Sequence, residues 1–358
     1  MPRLALLDPT KTGRQAEDLE NQLHHCIVGQ EEAIRQIVNV YQTHLAGLSP
    51  AGRPIGNFLF LGPTGSGKTR IVEATAESLL KNPRAVIKID CAEFQQSHEI
   101  AKLIGSPPGY LGHRETHPRL SQEALNQHHT ETVKLSFVLF DEIEKASDAL
   151  WNLLLGILDK ATLTLGDNRR VDFSAAMVFL TSNLGAAEIS SLVSPRLGFH
   201  VASSEDAGCN AQLSARISGA GTAAARRKFT LEFINRLDRI VVFKSLGAEE
   251  LRRIVDIELE VVQERIQTAA AGKPFLVNVT ESARDLLLVE GTDLRYGARH
   301  LKRAIERLLV QPLSNLMASG QIHRDDCIWV SHEDGSDALI FGRELKAARA
   351  WEVIGRAA

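Results

Sequence analysis

Apolar residues show two different patterns of spacing in the first part of the chain. Between residues 14 and 46 they recur every three or four positions, the spacing of one helix face, and Val28-Gly29-Gln30 divides this pattern into two predicted helices. Short apolar runs instead suit buried strands at residues 57–61, 85–90, 136–140 and 176–181. Helical patterns separate these runs, so we predict an α/β fold with a parallel sheet covered on both faces.

The pattern of apolar and polar residues changes after about residue 190. Residues at about 190–228 are rich in Ser, Ala and Gly, which predicts a flexible surface insertion. From residue 248 the pattern is mostly helical, and the runs CIWVS and ALIFG near the end predict two short strands joined by a turn. We therefore predict a large α/β domain, a small mainly helical domain with a short β element, and a tail, over residues 1–246, 247–342 and 343–358.

Composition narrows the classes of protein. The chain has 358 residues, 44% of them hydrophobic, and a net charge of -3, as in an ordinary globular protein with no broad basic surface for nucleic acid. Four well-separated cysteines form no CxxC pair, which indicates a reducing compartment. The apolar start is too short for a signal peptide and no run approaches about 18 apolar residues, so we expect a cytoplasmic protein without a membrane span.

Residues 62–69, GPTGSGKT, fit the pattern G-x-x-x-x-G-K-[ST] between a predicted strand and a predicted helix. Small residues let successive backbone N–H groups close around phosphate oxygens, Lys68 neutralises the β- and γ-phosphates, and the Thr69 hydroxyl binds Mg²⁺. A chance glycine turn is the alternative. The residues that we expect around the nucleotide phosphates are Gly62, Pro63, Thr64, Gly65, Ser66, Gly67, Lys68, Thr69 and Arg70.

Two carboxylates end the predicted strand FVLF. Ligands of open parallel sheets bind at the carboxyl edge, so Asp141 is expected to hold Mg²⁺ and Glu142 to act as general base for an attacking water. An acidic pair that simply begins a helix is the alternative. Asn183 ends the next apolar strand at the same predicted edge and could orient that water, although turns also favour asparagine.

Two arginines accompany other motifs. Arg236 lies in FINRLD, and Arg299 lies in YGAR at the start of a predicted helix. An arginine supplied across a subunit boundary can stabilise γ-phosphate charge in the transition state. A surface salt bridge, with Asp238 or with Glu306, is the alternative for each.

Two loops and a group of histidines raise further possibilities. GSPPGYLGH, residues 105–113, holds Tyr110 and Leu111 among glycines and prolines, so these side chains either pack into the core or face a partner. Leu197-Gly198-Phe199 is a turn with two apolar anchors or an exposed docking tripeptide. The histidines at 113, 117, 128 and 129 suggest a solvated polar segment more than a metal site.

Together these segments resemble the AAA+ ATPases of the Clp type, and above all the second ATPase module of ClpB-, ClpC- and ClpA-type unfoldases. The resemblance extends from about residue 27 to about residue 341. The segments that carry it, by their order and spacing, are RPIGNFLFLGPTGSGKT, GSPPGYLGH, FVLFDEIEKA, FLTSNLG, EFINRLDRIVVF and YGARHLKRAIER.

The resemblance implies roles for these residues. Residues 62–69 would be Walker A, and Asp141 with Glu142 would be Walker B. Asn183 is similar to the sensor that positions the attacking water. Ile27 and Val28 would line the adenine pocket.

The resemblance also implies roles that reach beyond one subunit. Arg236 looks like the arginine finger, which contacts the ATP of the neighbouring subunit, and Arg299 looks like the second sensor of the helical lid. Tyr110, with Gly109 and Leu111, resembles the tip of the axial pore loop. Residues at about 165–170 would form a second, polar pore loop.

By this resemblance the protein is an ATP-dependent unfoldase or chaperone that uses ATP and Mg²⁺, works as a hexameric ring and threads unfolded or misfolded proteins. Regulation of a compartmental peptidase, docked through residues 197–199, is one alternative, and an AAA+ nucleic-acid motor is a more distant one. No nucleic-acid partner is expected.

Two departures from the family pattern affect these expectations. Clp-type proteins usually carry an N-terminal substrate domain and a first ATPase module, and 358 residues have room for neither, so we expect a single-module protein whose substrates are selected by the pore, the insertion or an adaptor. Thr230-Leu231 replaces an Arg-Pro pair that is common before the arginine-finger segment.

Overall fold

The structure is a computed structural model that describes residues 8, 11–106, 118–186, 188, 207–269, 274–292, 298–333 and 335–344. The chain divides into two compact units, Met1–Leu246 and Gly247–Ala358. Each unit has its own sheet and helices.

A parallel sheet is the centre of the N-terminal unit. The strands of this unit are β1 Gly56–Leu61, β2 Val86–Asp90, β3 Ser136–Asp141, β4 Thr162–Thr164, β5 Arg170–Asp172, β6 Ala176–Ser182 and β7 Arg239–Val242. The five-stranded sheet has the order β2-β3-β6-β1-β7, and its neighbouring strands are parallel. The α/β fold predicted from the apolar runs is therefore confirmed.

Helices cover both faces of this sheet. Those of the N-terminal unit are α1 Arg14–Cys26, α2 Glu31–Leu45, α3 Lys68–Leu80, α4 Ala101–Ile104, α5 Gln122–Asn126, α6 Asp148–Lys160, α7 Ala207–Lys228 and α8 Leu231–Ile234. The predicted break between α1 and α2 is confirmed.

Two hydrophobic cores form because successive strand residues point to opposite faces. On one face Phe58, Phe60 and Phe179 pack with apolar residues of α1, α2 and α3, and the rings of Phe58 and Phe179 stack with centroids 4.9 Å apart. On the other face Leu59 and Leu61 belong to a core that includes α6, α7 and α8. Burial on both faces explains why these strands are continuous apolar runs.

Helix α7 corrects the prediction of a flexible insertion over residues 207–228, the described part of the predicted 190–228. Residues 207–228 form a 22-residue helix in which Ile217 and Ala225 are buried. The Ser, Ala and Gly content that suggested flexibility has a packing reason instead, because small side chains let a helix approach its neighbour closely. Gly221 faces Val242 of β7, and a Cβ on this glycine would lie 2.8 Å from Val242 Cγ2. Residues 189–206 lie outside the described part.

Strands β4 and β5 form an antiparallel hairpin that the apolar pattern did not predict. Its turn contains most of the 165–170 segment. The Gly166 N–H donates to the Ile104 carbonyl at 2.8 Å, and the Asp172 N–H donates to Gln122 Oε1 at 2.8 Å. The hairpin therefore contacts the chain on both sides of residues 107–117.

The C-terminal unit combines helices with a three-stranded sheet. Its elements are α9 Ala248–Ala269, β8 Leu276–Val279, α10 Glu281–Gly291, α11 Ala298–Ile305, α12 Gln311–Ala318, β9 Cys327–His332 and β10 Leu339–Arg343. Strands β9 and β10 are the two predicted runs, with β10 extending one residue past the predicted boundary at 342, and β8 was not predicted.

Within the described ranges, no helix is both long enough and apolar enough to cross a bilayer.

Candidate active site

The P-loop joins β1 to α3, as the glycine-rich motif predicted. Gly62, Gly65 and Gly67 have φ values of 144°, 78° and 98°, in the region that favours glycine. Gly62 also needs its missing Cβ, because that atom would lie 2.6 Å from the Phe243 carbonyl oxygen. The loop therefore closes tightly at the amino end of α3, where free N–H groups and the helix dipole favour an anion.

Lys68 points back over the loop. Its ammonium group donates to the Gly62 and Pro63 carbonyls at 2.7 and 2.8 Å, and to Asn183 Oδ1 at 3.0 Å. The side chain is almost fully buried, so its charge acts where solvent screening is weak. A buried cation on an anion-binding loop is the arrangement that a polyphosphate requires.

Asn183 connects the P-loop to the carboxylates. Its Nδ2 donates to Glu142 Oε1 at 3.2 Å while its Oδ1 accepts from Lys68, and its backbone N–H donates to Glu144 Oε1 at 3.1 Å. The strand order explains this position. Because β6 lies between β1 and β3, the residue that follows β6 lies between the P-loop and the end of β3.

Asp141 and Glu142 end β3 in different conformations. Glu142 has a φ of 54°, which is unusual for a residue with a side chain and is typical of functional sites. The Thr181 hydroxyl donates to Asp141 Oδ1 and accepts from the Glu142 N–H at 3.2 Å. One buried hydroxyl on β6 thus fixes both acidic residues.

The oxygen donors near Asp141 fit a magnesium ion. Thr69 Oγ1 lies 3.5 Å from Asp141 Oδ2, so a hydroxyl and a carboxylate from two elements meet beside the P-loop. Oxygen ligands are those that Mg²⁺ prefers, and it usually takes only one or two from the protein. Among the described residues no group of three or more His, Cys, Asp or Glu forms a separate metal cluster.

Lys145 forms an ion pair with the second oxygen of Glu142, at 2.5 Å. The hydrogen bond to Glu142, together with its negative charge, raises the pKa of Lys145. Cys91 lies nearby in the core, and burial, with a further contribution from Asp141, raises the pKa of this thiol. Cys91 is therefore a neutral packing residue beside the carboxylates.

Arg236 lies in the turn after α8. Its guanidinium pairs with Glu232 at 2.8 Å and with Asp159 at 3.7 Å, and the side chain is 22% exposed. Its carbonyl accepts hydrogen bonds from Asn57 Nδ2 at 3.2 Å and from Arg53. The predicted partner Asp238 pairs instead with Arg53, at 3.5 Å.

The remaining predicted residues have different locations. Ile27 and Val28 are buried between α1 and α2. Arg70 lies 3.5 Å from Glu77 on α3. Arg299 is exposed on α11 of the C-terminal unit, and its suggested partner Glu306 pairs with Arg265.

The loop residues Gly109, Tyr110 and Leu111 lie outside the described residues, as do Leu197-Gly198-Phe199 and two of the four histidines, His113 and His117. Of the other two, His129 Nε2 lies 2.9 Å from Ser136 Oγ.

Sequence reasoning missed several residues of the site, namely Gln30, Glu144, Lys145 and Thr181. Glu144 and Lys145 stand in the quoted run DEIEKA, so proximity to Asp141 was a usable signal. Thr181 lies two residues before Asn183 in a buried strand. A hydroxyl among apolar neighbours was the only feature of the sequence that could have indicated a role in the site. No local signal marked Gln30.

A parallel sheet in this strand order, with a P-loop after β1 and two acidic residues at the carboxyl end of β3, defines a P-loop nucleoside triphosphatase. A family model described as "AAA domain (Cdc48 subfamily)" matches residues 53–240, and "C-terminal, D2-small domain, of ClpB protein" matches residues 246–330. The chain belongs to the AAA+ ATPases and is a Clp-type nucleotide-binding module.

Named relatives agree with this assignment. The chain is 37% identical to the chaperone protein ClpB of Pseudomonas putida over 327 residues, 90% of this chain and 34% of that protein. It is 36% identical to the Bacillus subtilis negative regulator of genetic competence ClpC/MecB, over 89% of this chain and 37% of that protein. The chain thus spans about a third of the length of these relatives.

Solved structures show the same likeness. An S. cerevisiae Hsp104:casein complex in the extended conformation matches with a TM-score of 0.75 and 29% identity, over 92% of this chain and 53% of that one. A closed-state reconstruction of Hsp104 with ATPγS and FITC casein matches with a TM-score of 0.73, over 92% and 52%. The predicted family and fold are confirmed.

Proposed function

We propose that this module hydrolyses ATP with Mg²⁺ and uses the energy to unfold or remodel proteins. One observation carries the chemical part of the proposal. Asn183 bonds both to Lys68 of the P-loop and to Glu142, so a phosphate-binding cation and a candidate general base are joined through a single amide. Such positioning and electrostatic groups are what phosphoryl transfer needs.

In the proposed reaction, Lys68 and the P-loop N–H groups hold the β- and γ-phosphates. Thr69 and Asp141 would hold Mg²⁺, which supplies positive charge to the phosphate oxygens when it is bound. Glu142 accepts a proton from water while the water oxygen attacks the γ-phosphorus. The bond from this phosphorus to the β–γ bridging oxygen breaks, which leaves ADP and inorganic phosphate.

Asn183 orients the attacking water in this scheme, and the Thr181 hydroxyl restrains the positions of Asp141 and Glu142 through its two hydrogen bonds. Ile27 and Val28 are proposed to line the adenine site, with Arg70 beside the phosphates. These assignments are supported by the burial of Ile27 and Val28 and by the position of Arg70 in the first turn after the P-loop.

We further propose a ring in which Arg236 contacts the nucleotide bound to a neighbouring copy and Arg299 contacts the nucleotide bound to its own copy. Arg236 is partly exposed and held by two carboxylates, and among the described residues none of its polar contacts is with the P-loop. A role in another subunit's site suits that placement. Six copies are the number that the Clp-type resemblance implies.

The proposed substrates are unfolded or misfolded proteins. Support comes from the Pseudomonas putida relative, which is named as a chaperone, and from Hsp104, whose matched structures contain casein. Gly109, Tyr110 and Leu111 are proposed to contact the substrate in the central channel.

A Glu142→Gln variant tests the proposal. It should bind ATP but hydrolyse it at least about 100-fold more slowly, because the water loses its general base. Glu20→Gln, on the exposed side of α1, is the control and should hydrolyse ATP at the normal rate.

The same variant should trap the working assembly. Native mass measurement with ATP should show a ring that retains polypeptide, and omission of ATP should release it. Near-normal hydrolysis by Glu142→Gln would remove Glu142 as the base. A monomer that binds nucleotide but retains no protein contradicts the unfoldase proposal.

A further inference from the structure

Gln30 is a buried polar residue at the start of α2 for which neither the sequence motifs nor the proposed reaction has a role. Its side chain is 4% exposed, and its position is set by the helix, since its carbonyl accepts the Ala33 and Ile34 N–H groups at 3.0 and 3.2 Å. A buried amide must satisfy its hydrogen-bonding groups within the protein.

The partners of Gln30 come from two distant segments. Its Nε2 donates to the Ser66 carbonyl at 3.2 Å and to the Lys244 carbonyl at 3.0 Å, and its Oε1 accepts from the Lys244 N–H at 3.2 Å. One side chain therefore links the P-loop to the residue three positions before Gly247, where the second unit begins.

The first residue of the P-loop contacts the same segment. The Phe243 N–H donates to the Leu61 carbonyl at 2.7 Å, and the Phe243 carbonyl occupies the space that a Cβ on Gly62 would need. The phosphate-binding loop is thus joined to the dipeptide Phe243-Lys244 twice, directly at Gly62 and through the Gln30 side chain at Ser66. Only Ser245 and Leu246 separate this dipeptide from the C-terminal unit.

The surroundings leave space for this contact to change. A cavity of about 410 Å³ borders Gln30 and Lys244, and Ser218 of α7 and Val242 of β7 also line it. The cavity leaves open space on one side of Gln30 and Lys244.

We propose that Gln30 is a positioning residue that transmits phosphate occupancy of the P-loop to the segment joining the two units. When the P-loop N–H groups bind phosphate, the main chain at Ser66 and the Gln30 side chain bonded to it become more ordered. Through its hydrogen bonds to Lys244, Gln30 then restrains the main chain of Lys244 and the residues that follow. This inference rests on the proposed nucleotide binding. Its test measures the P-loop and the joining segment separately.

Amide hydrogen exchange with and without ATPγS and Mg²⁺ provides this test. In the wild type, ATPγS should slow exchange at least about 3-fold both in residues 62–69 and in residues 243–246, the size expected for one net hydrogen bond. In Gln30→Met, which keeps the side-chain volume, slowing should persist in residues 62–69 and disappear in residues 243–246.

Two further variants sharpen the comparison. Gln30→Glu keeps the acceptor for the Lys244 N–H but loses both donor bonds, so hydrogen exchange in this variant should match that in Gln30→Met. If circular dichroism shows that Gln30→Met does not fold, Gln30→Glu provides the test instead. Gln36→Met is the matched control, because Gln36 lies on the same helix and its Nε2 donates to Glu32 Oε1 of that helix at 2.7 Å, and it should match the wild type.

The outcomes separate this inference from the proposed function. Slowing in residues 243–246 that survives in the folded Gln30 variants overturns the inference alone, as does its absence in a wild type that binds ATPγS. A wild type that does not bind ATPγS overturns the proposed function, and the inference with it.

Discussion

Thr181 shows how one side chain can organise a catalytic edge. Its hydroxyl is buried between Asp141 and the Glu142 N–H, so it restrains the carboxylate proposed to hold Mg²⁺ and the backbone of the proposed base. Glu142 lies in a left-handed conformation that costs roughly 1–3 kcal/mol and must be held by its surroundings. The Thr181 contact is one such restraint.

Thr181→Val should therefore reduce catalysis more than binding. The substitution keeps the shape but leaves Asp141 Oδ1 and the Glu142 N–H without this partner. We expect kcat for ATP hydrolysis to fall about 10- to 100-fold, with a smaller change in nucleotide affinity and a loss of about 1–3 kcal/mol in the free energy of unfolding.

Thr75→Val is the control for this prediction. Thr75 is also fully buried, and its hydroxyl donates within α3 to the Ile71 carbonyl at 2.7 Å. Steady-state kinetics and urea unfolding of the two variants separate the effects. Equal losses of kcat in both would mean that Thr181 acts only through stability.

At the scale of elements, α7 shows why composition alone misjudged a segment. Ser, Ala and Gly are common in flexible loops, but they also allow a helix to lie close against a strand. In α7 a Cβ on Gly221 would lie 2.8 Å from Val242 Cγ2 of β7, while a Cβ on Gly219, two positions earlier, would lie in open space. The same residue type thus has two different roles in one helix.

These two glycines give a prediction about α7. Gly219→Ala should stabilise the protein by about 0.5–1 kcal/mol, because alanine favours a helix over glycine. Gly221→Ala gains the same helix propensity but forces a methyl group against Val242, so its free energy of unfolding should be about 1–3 kcal/mol lower than that of Gly219→Ala.

Urea unfolding followed by circular dichroism measures this difference. Subtracting one variant from the other removes the shared effect of helix propensity. Two variants of equal stability would show that α7 does not pack against β7 in solution.

At the scale of the whole molecule, the proposed ring would complete each site with a residue from a neighbouring copy. Arg236 is paired with Glu232 and Asp159, and its proposed target is the γ-phosphate of a neighbour. An arginine in that role contributes on the order of 10³-fold to hydrolysis. In the proposed ring, the ion pairs with Glu232 and Asp159 would hold the Arg236 guanidinium until the γ-phosphate of a neighbouring copy replaces them.

Arg236→Ala should bind nucleotide normally and hydrolyse it on the order of 10³-fold more slowly. Mixing it with Glu142→Gln should restore part of the activity, because the second variant supplies Arg236 to sites that retain Glu142. ATPase rates across mixing ratios measure this effect. If no ratio restores activity, Arg236 does not act between subunits.

Tyr110 belongs to the proposed interaction with substrate. Tyr110→Ala should retain ATP hydrolysis but lose the ability to unfold a tagged fluorescent protein, because an aromatic ring supplies contact area that any chain can use. Tyr110→Phe keeps the ring and is the control. Full unfolding activity in Tyr110→Ala would identify Tyr110 as a packing residue.

The sequence by itself determined the local features of this protein. The P-loop, the break between α1 and α2, and the acidic residues at the end of β3 were predicted because each depends on neighbours within a few positions. Glycine conformations, helix periodicity and apolar runs are all properties of short segments. The family also followed from the order of such segments.

The tertiary structure decided which of these segments meet. Gln30 contacts Lys244 across 214 positions, and Asn183 reaches both Lys68 and Glu142 only because β6 lies between β1 and β3. The order of parallel strands is set by how helices cross over and pack, not by the pattern within any strand. For this reason Thr181 and Gln30, which have ordinary local sequence contexts, could be recognised only in the folded chain.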